Sequence, residues 1–232
     1  KKPAAVLPTD QVAEMITSRN DIINLFGRML AELPGGGVDG AVQVAHAFTT
    51  HIAEPEVDFF TAMDDWQPPA AQGSGHMNHA EFSSGVFYRY ASINLHDLAT
   101  NLGDDHAGAL RLAGAFTEAF VTTMPQAKKN STAPFTVPDL FYIAVREDRP
   151  VSLAAAFEKA VRLGNDEGSG FALPSQRRLS DYAERIYKLL GTAPLYHGHA
   201  GTEDKPFDGL GRKAVSFPQL ITDALTAAER QP

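Results

Sequence analysis

The sequence predicts an α+β fold with a modest antiparallel sheet. Two runs of strand character, VDGAVQVAHAFTTH at 38–51 and FSSGVFYRYASINL at 82–95, flank a long stretch with no helical period. Segments with helical period and capping residues lie before and after them. A further β-rich run, Leu140 to Val145, stands among those helices. No internal repeat and no clear linker divides the chain.

Each element has its own signal. Asp21 or Asn20 caps a helix carrying Ile22, Ile23, Leu25 and Phe26, which continues into Gly27-Arg28-Met29. Gly35-Gly36-Gly37 breaks the chain. In the first strand run Val42, Val44, His46 and Phe48 share one face, and Ala41, Gln43, Ala45 and Ala47 the other. In the second, Val86, Tyr88 and Tyr90 oppose Phe87, Arg89, Ala91, Ile93 and Leu95. A helix spans 106–123 with Leu112, Phe116, Ala119, Phe120 and Thr123 in a stripe, and Pro125 lies just beyond it. Leu140 to Val145 reads as a buried strand, 152–161 as helical and NDEGSG at 165–170 as a loop. Ser175 can cap a helix with Leu179, Tyr182, Ile186 and Leu189 on one face. A Gly/His/Pro-rich stretch, 191–211, then separates it from a last helix over 216–230.

Composition narrows the function. A chain of 232 residues can bury a substantial core in one or two domains, and 44% apolar content is ordinary for a soluble globular protein. The absence of cysteine excludes a disulfide framework, a thiol nucleophile and a cysteine-based zinc site. KKPAAVLPTDQ has no apolar signal core and no run is long enough to span a membrane, so a cytoplasmic protein is expected. The start on two lysines without Met suggests a trimmed version of something longer. The formal net charge of −8 argues against a generally basic nucleic-acid domain. The imbalance is local, however. Residues 1–100 hold 5 Lys/Arg against 12 Asp/Glu, and 101–232 hold 15 against 16. Screening confines each charge to about 10 Å at 0.1 M salt, so a local groove can differ from the whole.

Candidate chemistry is sparse. His76, His79 and Glu81 lie near Asp64 and Asp65 in sequence, and imidazole with carboxylate can hold a transition metal. On that basis a metal-dependent hydrolase is the alternative function. The spacing matches no zinc motif, and His46 and His51 fall on opposite faces of an extended strand. Ser83-Ser84-Gly85 lacks the flanking glycine of a nucleophile elbow. No Gly-Lys-Ser/Thr follows the triple glycine, which leaves no Walker-type loop. Two features suit single-stranded nucleic acid. Phe59, Phe60, Trp66 and Met77 stand in the connection between the strand runs, where flat or polarisable side chains could stack on bases of any sequence. Lys128-Lys129-Asn130-Ser131-Thr132 follows a helix and could contact phosphates. Taken singly, an aromatic pair more often belongs to a core, and a Lys-Lys pair to a solvated turn.

These segments, in one order, carry a resemblance. GRM at 27–29, VDGAVQVAHAFTTH, DFFTAMDD, GHM, AEFSSGVFYRYASINL, PQAKKNSTAPF and SLAAAFEKAV closely resemble the CasC family, the repeated backbone subunit of the type I-E CRISPR complex Cascade. The resemblance covers roughly 21–178 and weakens over the last fifty residues. It implies an α+β fold with an RRM-like (ferredoxin-like) palm, a helical region and a long β-hairpin thumb. The chain divides accordingly into 1–51 (helical segment and first palm strand), 52–84 (thumb insertion) and 85–232 (the rest of palm and helical region). Copies would polymerise along the spacer of the guide RNA (crRNA) with other Cascade subunits, and present its bases to target DNA in antiviral defence. No enzyme activity, cofactor, metal or membrane is implied. Phe60 and Met77 match base-displacing tips with Thr61 beside them, and Met29, next to Arg28, matches a base-separating wedge. Lys128 and Lys129 match a basic loop facing RNA. Nothing in 1–20 matches the family's basic N-terminal portion, so the first part of the palm is expected to be missing.

Overall fold

The computed structural model describes residues 13–15, 18–30, 36–63, 74–163 and 170–230, with backbone alone at 62–63 and 74–76. Helices and antiparallel strand pairs occur together, as an α+β fold requires. Asn20 caps α1 (Asp21–Phe26), its side-chain oxygen accepting from the Ile23 N–H at 2.9 Å. The helix stops at Phe26 instead of running on to Met29. Gly27 turns to φ +80°, and Arg28 pairs antiparallel with Val38. A Cβ at Gly27 would lie 2.6 Å from the Val38 carbonyl oxygen, so this reversal requires glycine.

The first strand run holds β1 (Val42–Val44) and β2 (Phe48–Thr49). Then come β3 (Glu56–Met63), β4 (Ser74–Phe82), β5 (Phe87–Tyr88) and β6 (Ala91–Ile93). β1 pairs with β6, β2 with β5 and β3 with β4, all antiparallel, so successive pairs nest along one extended hairpin. Between the pairs Val44↔Ala91 and Phe48↔Tyr88 the first strand carries three residues and the second two. That extra residue is a bulge, and it breaks the expected alternation. Before the bulge, Val42 and Val44 share a face as expected, yet Val42 is buried and Val44 is 54% exposed. Leu95, expected on the strand, instead opens α2 (Leu95–Asn101), which Asn94 caps through the His96 and Asp97 N–H groups.

Helix α3 (His106–Thr122) keeps its expected length but buries a different face. Gly108, Ala109, Ala113 and Val121 are buried, while Ala119 and Thr123 are exposed. Small residues win here because the last helix packs closely: a Cβ on Gly114 would meet Leu225 Cδ1 at 3.0 Å. A single turn, α4 (Lys129–Thr132), follows. Strand β7 (Leu140–Val145) has the expected bounds but lies at a sheet edge and is half-buried throughout. The helix expected at 152–161 is reduced to a 3-10 turn, Ala154–Phe157.

Helix α5 (Ala172–Leu190) begins before Ser175, which therefore caps nothing. The Ser175 hydroxyl is buried and donates to the Phe171 carbonyl at 2.6 Å. Leu179 and Ala183 face the core, but Leu189 is 79% exposed. The loop expected at NDEGSG lies, for 165–169, outside the described residues. The stretch 191–211, expected to be irregular, contains β8 (Tyr196–Gly201), the central strand of a three-stranded sheet. β8 pairs antiparallel with β7 and parallel with β9 (Arg212–Lys213). Its small residues admit neighbours: a Cβ on Gly198 would lie 2.8 Å from the Arg212 carbonyl oxygen. His199, 1% exposed, holds both ring nitrogens in contacts, with the Leu210 carbonyl at 3.3 Å and the Phe207 N–H at 3.2 Å. Ser216 caps α6 (Phe217–Glu229), which lies within the range 216–230 expected for the last helix.

Burial forms three clusters. Leu25, Val42, Leu98 and Ala109 join α1, β1, α2 and α3. Leu153, Phe157, Leu179 and Leu210 pack between α5 and its neighbours, with Phe48 and Tyr88 against them. Ala200, Ala214 and Leu220 hold α6 to β8. The Tyr142 and Tyr187 hydroxyls, 2.7 Å apart, tie β7 to α5, and burial raises both phenols above their ordinary range. No helix among the described residues is long and apolar enough to cross a membrane.

Candidate nucleic-acid interface

The β3–β4 ribbon projects from a clamped root. Thr50 N–H donates to the Val86 carbonyl at 2.9 Å, and Val86 N–H donates to His51 Nε2 at 3.1 Å. With Nε2 accepting, the His51 ring directs its Nδ1–H at the Ile52 carbonyl, 2.7 Å away. The ring also stacks on Phe171 at 3.8 Å. The Thr50 and Ser175 hydroxyls meet at 2.8 Å, and Val161 N–H donates to the Thr50 carbonyl at 2.9 Å. Gly85 lets the ring come close, since a Cβ there would sit 3.1 Å from His51 Nε2. His51 is thus a hinge-pin of the ribbon.

Beyond the root, the ribbon is exposed on both faces. Cross-strand pairs run from Glu56↔Phe82 through Phe59↔His79, Phe60↔Asn78 and Thr61↔Met77. Direct partners share a face and successive residues alternate. Phe59, Thr61, Met77 and His79 therefore lie on one face, and Phe60 lies on the other with Asn78. The expected tips Phe60 and Met77 are not brought together, whereas Thr61 and Met77 are direct partners. Phe59 is 72% exposed and Met77 68%, against 46% for Phe60. The Phe59 and His79 rings are 6.1 Å apart. Phe59 makes the larger exposed surface, although the match to family tips singled out Phe60. Only the pairing register, set by the ribbon as a whole, distinguishes the two faces.

The other expected residues sit on separate elements. After Gly27, the Arg28 side chain donates from Nε to the Gly36 carbonyl and from Nη1 to the Ser18 carbonyl, both at 2.9 Å. Met29 is left 92% exposed beside an open cleft of about 430 Å³ between 26–30 and 37–40. Lys128 adopts φ +52° and Ala133 φ +43°, bracketing α4, where the Ser131 and Thr132 hydroxyls donate to the Lys128 carbonyl. Left-handed geometry costs a non-glycine residue roughly 1–2 kcal/mol. Lys128 and Lys129 are both exposed, and Phe135, 76% exposed, follows in the same loop. Phe135 was not singled out by its sequence, though an aromatic between Pro134 and Pro138 was its visible signal.

The alternative metal cluster is only partly described. His79 and Glu81 lie exposed on the ribbon, while the His76 side chain, Asp64, Asp65 and Trp66 lie outside the described residues. Among the described residues no group of three or more His, Asp or Glu side chains could hold a metal ion.

Comparison with known proteins places this geometry in a family. Residues 1–226 match a family model described as CT1975-like protein. A chain of a solved "CRISPR RNA-guided surveillance complex, pre-nicking" is 46% identical over 98% of this chain and 61% of its own, with a TM-score of 0.87. A chain of a second "CRISPR RNA-guided surveillance complex" is 45% identical over 95% of this chain and 84% of its own, with a TM-score of 0.80. The chain thus spans about three fifths of the first structure's length. No curated protein matches it. The chain belongs to the CT1975-like protein family, and the CasC resemblance carried by its motifs is borne out.

Proposed function

We propose that this chain is a guide-RNA-binding backbone subunit of a type I-E CRISPR surveillance complex, acting in antiviral defence without a catalytic step. Copies polymerise along the spacer, and the bound crRNA is presented for pairing with target DNA beside the other Cascade subunits in the cytoplasm. In this reading the β1–β6 and β2–β5 pairs belong to the RRM-like palm, and 52–84 is the thumb. The observation that carries it is a ribbon clamped at its root and exposed on both faces, bearing Phe59, Phe60 and Met77. An isolated two-stranded ribbon is marginally stable in water, so these side chains suit an external partner. Bases offer apolar faces whatever their sequence. Residues 52–84 contain six Asp/Glu and no Lys/Arg, which favours contact through bases over contact through phosphates. Both similar structures are chains of CRISPR RNA-guided surveillance complexes, which supports the same assignment.

Light scattering of the complete subunit on single-stranded guide RNAs of increasing spacer length tests this. The mass should rise in steps of one subunit as the spacer lengthens. A mass that ignores RNA length would refute the proposal.

A further inference from the structure

Between the body and the ribbon the strand ladder is interrupted. The last body-side bond runs from Thr50 N–H to the Val86 carbonyl, and the next strand pair is Glu56↔Phe82. Residues 51–55 lie between these pairs on one strand and only 83–85 on the other. Among the described residues no backbone hydrogen bond crosses this neck. Ladder bonds are what align neighbouring strands, so the backbone alone does not fix the ribbon's direction here. The His51 imidazole spans the gap. Its Nε2 accepts the Val86 N–H of the returning strand, and its Nδ1–H holds the Ile52 carbonyl of the outgoing one. The ring is 7% exposed and lies on Phe171 with the two planes 11° apart. Phe171 stands at the start of α5, and the Ser175 hydroxyl joins its carbonyl to Thr50. Among the described residues no other side chain holds a backbone group on each strand of the neck. A neutral imidazole suits this place because it carries a donor and an acceptor on one rigid ring.

We propose that His51 is the positioning residue that aims the ribbon. Its two hydrogen bonds and its stack on Phe171 hold one direction of the β3–β4 pair relative to α5, and in that direction the ribbon receives a nucleic-acid strand. The proposal rests on the RNA-binding reading above and adds to it the group that presents the ribbon to its partner. A ribbon that samples many directions binds with an affinity reduced by the fraction of time spent in the competent one. Each hydrogen bond contributes modestly, so loss of both should leave that fraction at roughly one tenth.

The chain has no cysteine, so spin labels attach only where one is introduced. Asp58→Cys and Glu184→Cys, both at exposed positions away from the candidate base contacts, put one label on the ribbon and one on α5. Two variants are compared with the parent. His51→Phe keeps a flat ring for Phe171 and removes both hydrogen bonds, and His51→Gln keeps an acceptor for the Val86 N–H. The interlabel distance distribution should be narrow in the parent, broad in His51→Phe and intermediate in His51→Gln. A saturating single-stranded RNA oligonucleotide should narrow the His51→Phe distribution again, which a purely structural role would not produce. RNA affinity should fall about tenfold in His51→Phe and be partly rescued in His51→Gln. Nitrogen-15 spectra of the parent's His51 should show the tautomer with Nδ1 protonated and Nε2 free. Equal widths in all three proteins, or the opposite tautomer, would overturn the proposal while RNA binding by the parent keeps the RNA reading. A broadened distribution with undiminished RNA affinity would overturn His51 as the presenting group and remove the ribbon from the RNA contact. A parent that binds no RNA but broadens on His51→Phe would sink the RNA reading and leave the clamp. If His51→Phe does not fold, the same measurements on His51→Gln decide.

Discussion

Replacing Phe60 with alanine separates a core side chain from a base-contacting one. Burying a Phe fully is worth roughly 1.5–3 kcal/mol, and truncating a true core Phe costs about 3–5 kcal/mol. Phe60 is 46% exposed on a ribbon whose same-face neighbours include Asp58 and Asn78. About half of the burial contribution is therefore available to lose, which sets the stability cost of Phe60→Ala at roughly 1 kcal/mol. A base contact, by contrast, is worth roughly 1–3 kcal/mol by alanine substitution, and in a filament it recurs in every copy. Denaturant unfolding of the subunit and assembly of the complete subunit on guide RNA should be measured on the same variant. The expected outcome is a small shift in midpoint and a large loss of assembly. Because Met77 lies on the opposite face, Met77→Ala should add to Phe60→Ala with a coupling below about 0.5 kcal/mol, whereas Met77 and Phe59 should couple. A stability loss of about 3 kcal/mol or more with assembly intact would refute the reasoning.

Three further expectations follow from local geometry. Amide exchange at 56–63 and 77–82 should be fast in the free subunit and slow on RNA assembly, and core-like protection in the free state would count against an external partner. Gly198→Ala should destabilise by roughly 1–3 kcal/mol, since the added Cβ meets the Arg212 carbonyl oxygen at 2.8 Å and Leu220 Cδ1 at 3.0 Å; a neutral midpoint in urea would contradict the packing. Burial holds His197 and His199 below the ordinary histidine value, so on acidification the unfolded chain takes up protons first. Stability should be full above about pH 6.5 and fall below it, and His199→Gln should flatten that slope.

Local signals and tertiary ones divided cleanly in this chain. The helical run at 216–230 announced α6, and the two β-rich runs announced the paired strands, because periodicity and alternation act within a few residues. Asn94 and Asp97 carried the same kind of signal for α2, with Asn94 Nδ2 donating to Asp97 Oδ2 at 2.6 Å, yet the strand pattern ahead of Leu95 masked it. Strand β8 had no such signal. Tyr-His-Gly-His-Ala-Gly is poor in β-branched residues, and it becomes a central strand because its neighbours need small side chains and a hydrogen-bonded imidazole. The candidate site divided in the same way. Exposed apolar residues in the long connection were legible, but their distribution over two faces depends on a register that only the paired ribbon defines.

Charge then decides how a strand can approach the ribbon. Six carboxylates and no cation in 52–84 make this segment a poor phosphate ligand. Two unit charges about 7 Å apart in water interact by roughly 0.6 kcal/mol, so several carboxylates facing a backbone would offset one good stacking contact. A strand avoids that repulsion if it turns its bases toward Phe59, Phe60 and Met77 and its phosphates away from the ribbon. Orientation would then follow from the field of the subunit before any single contact forms. Salt should therefore relieve repulsion along the ribbon while leaving its apolar base contacts in place.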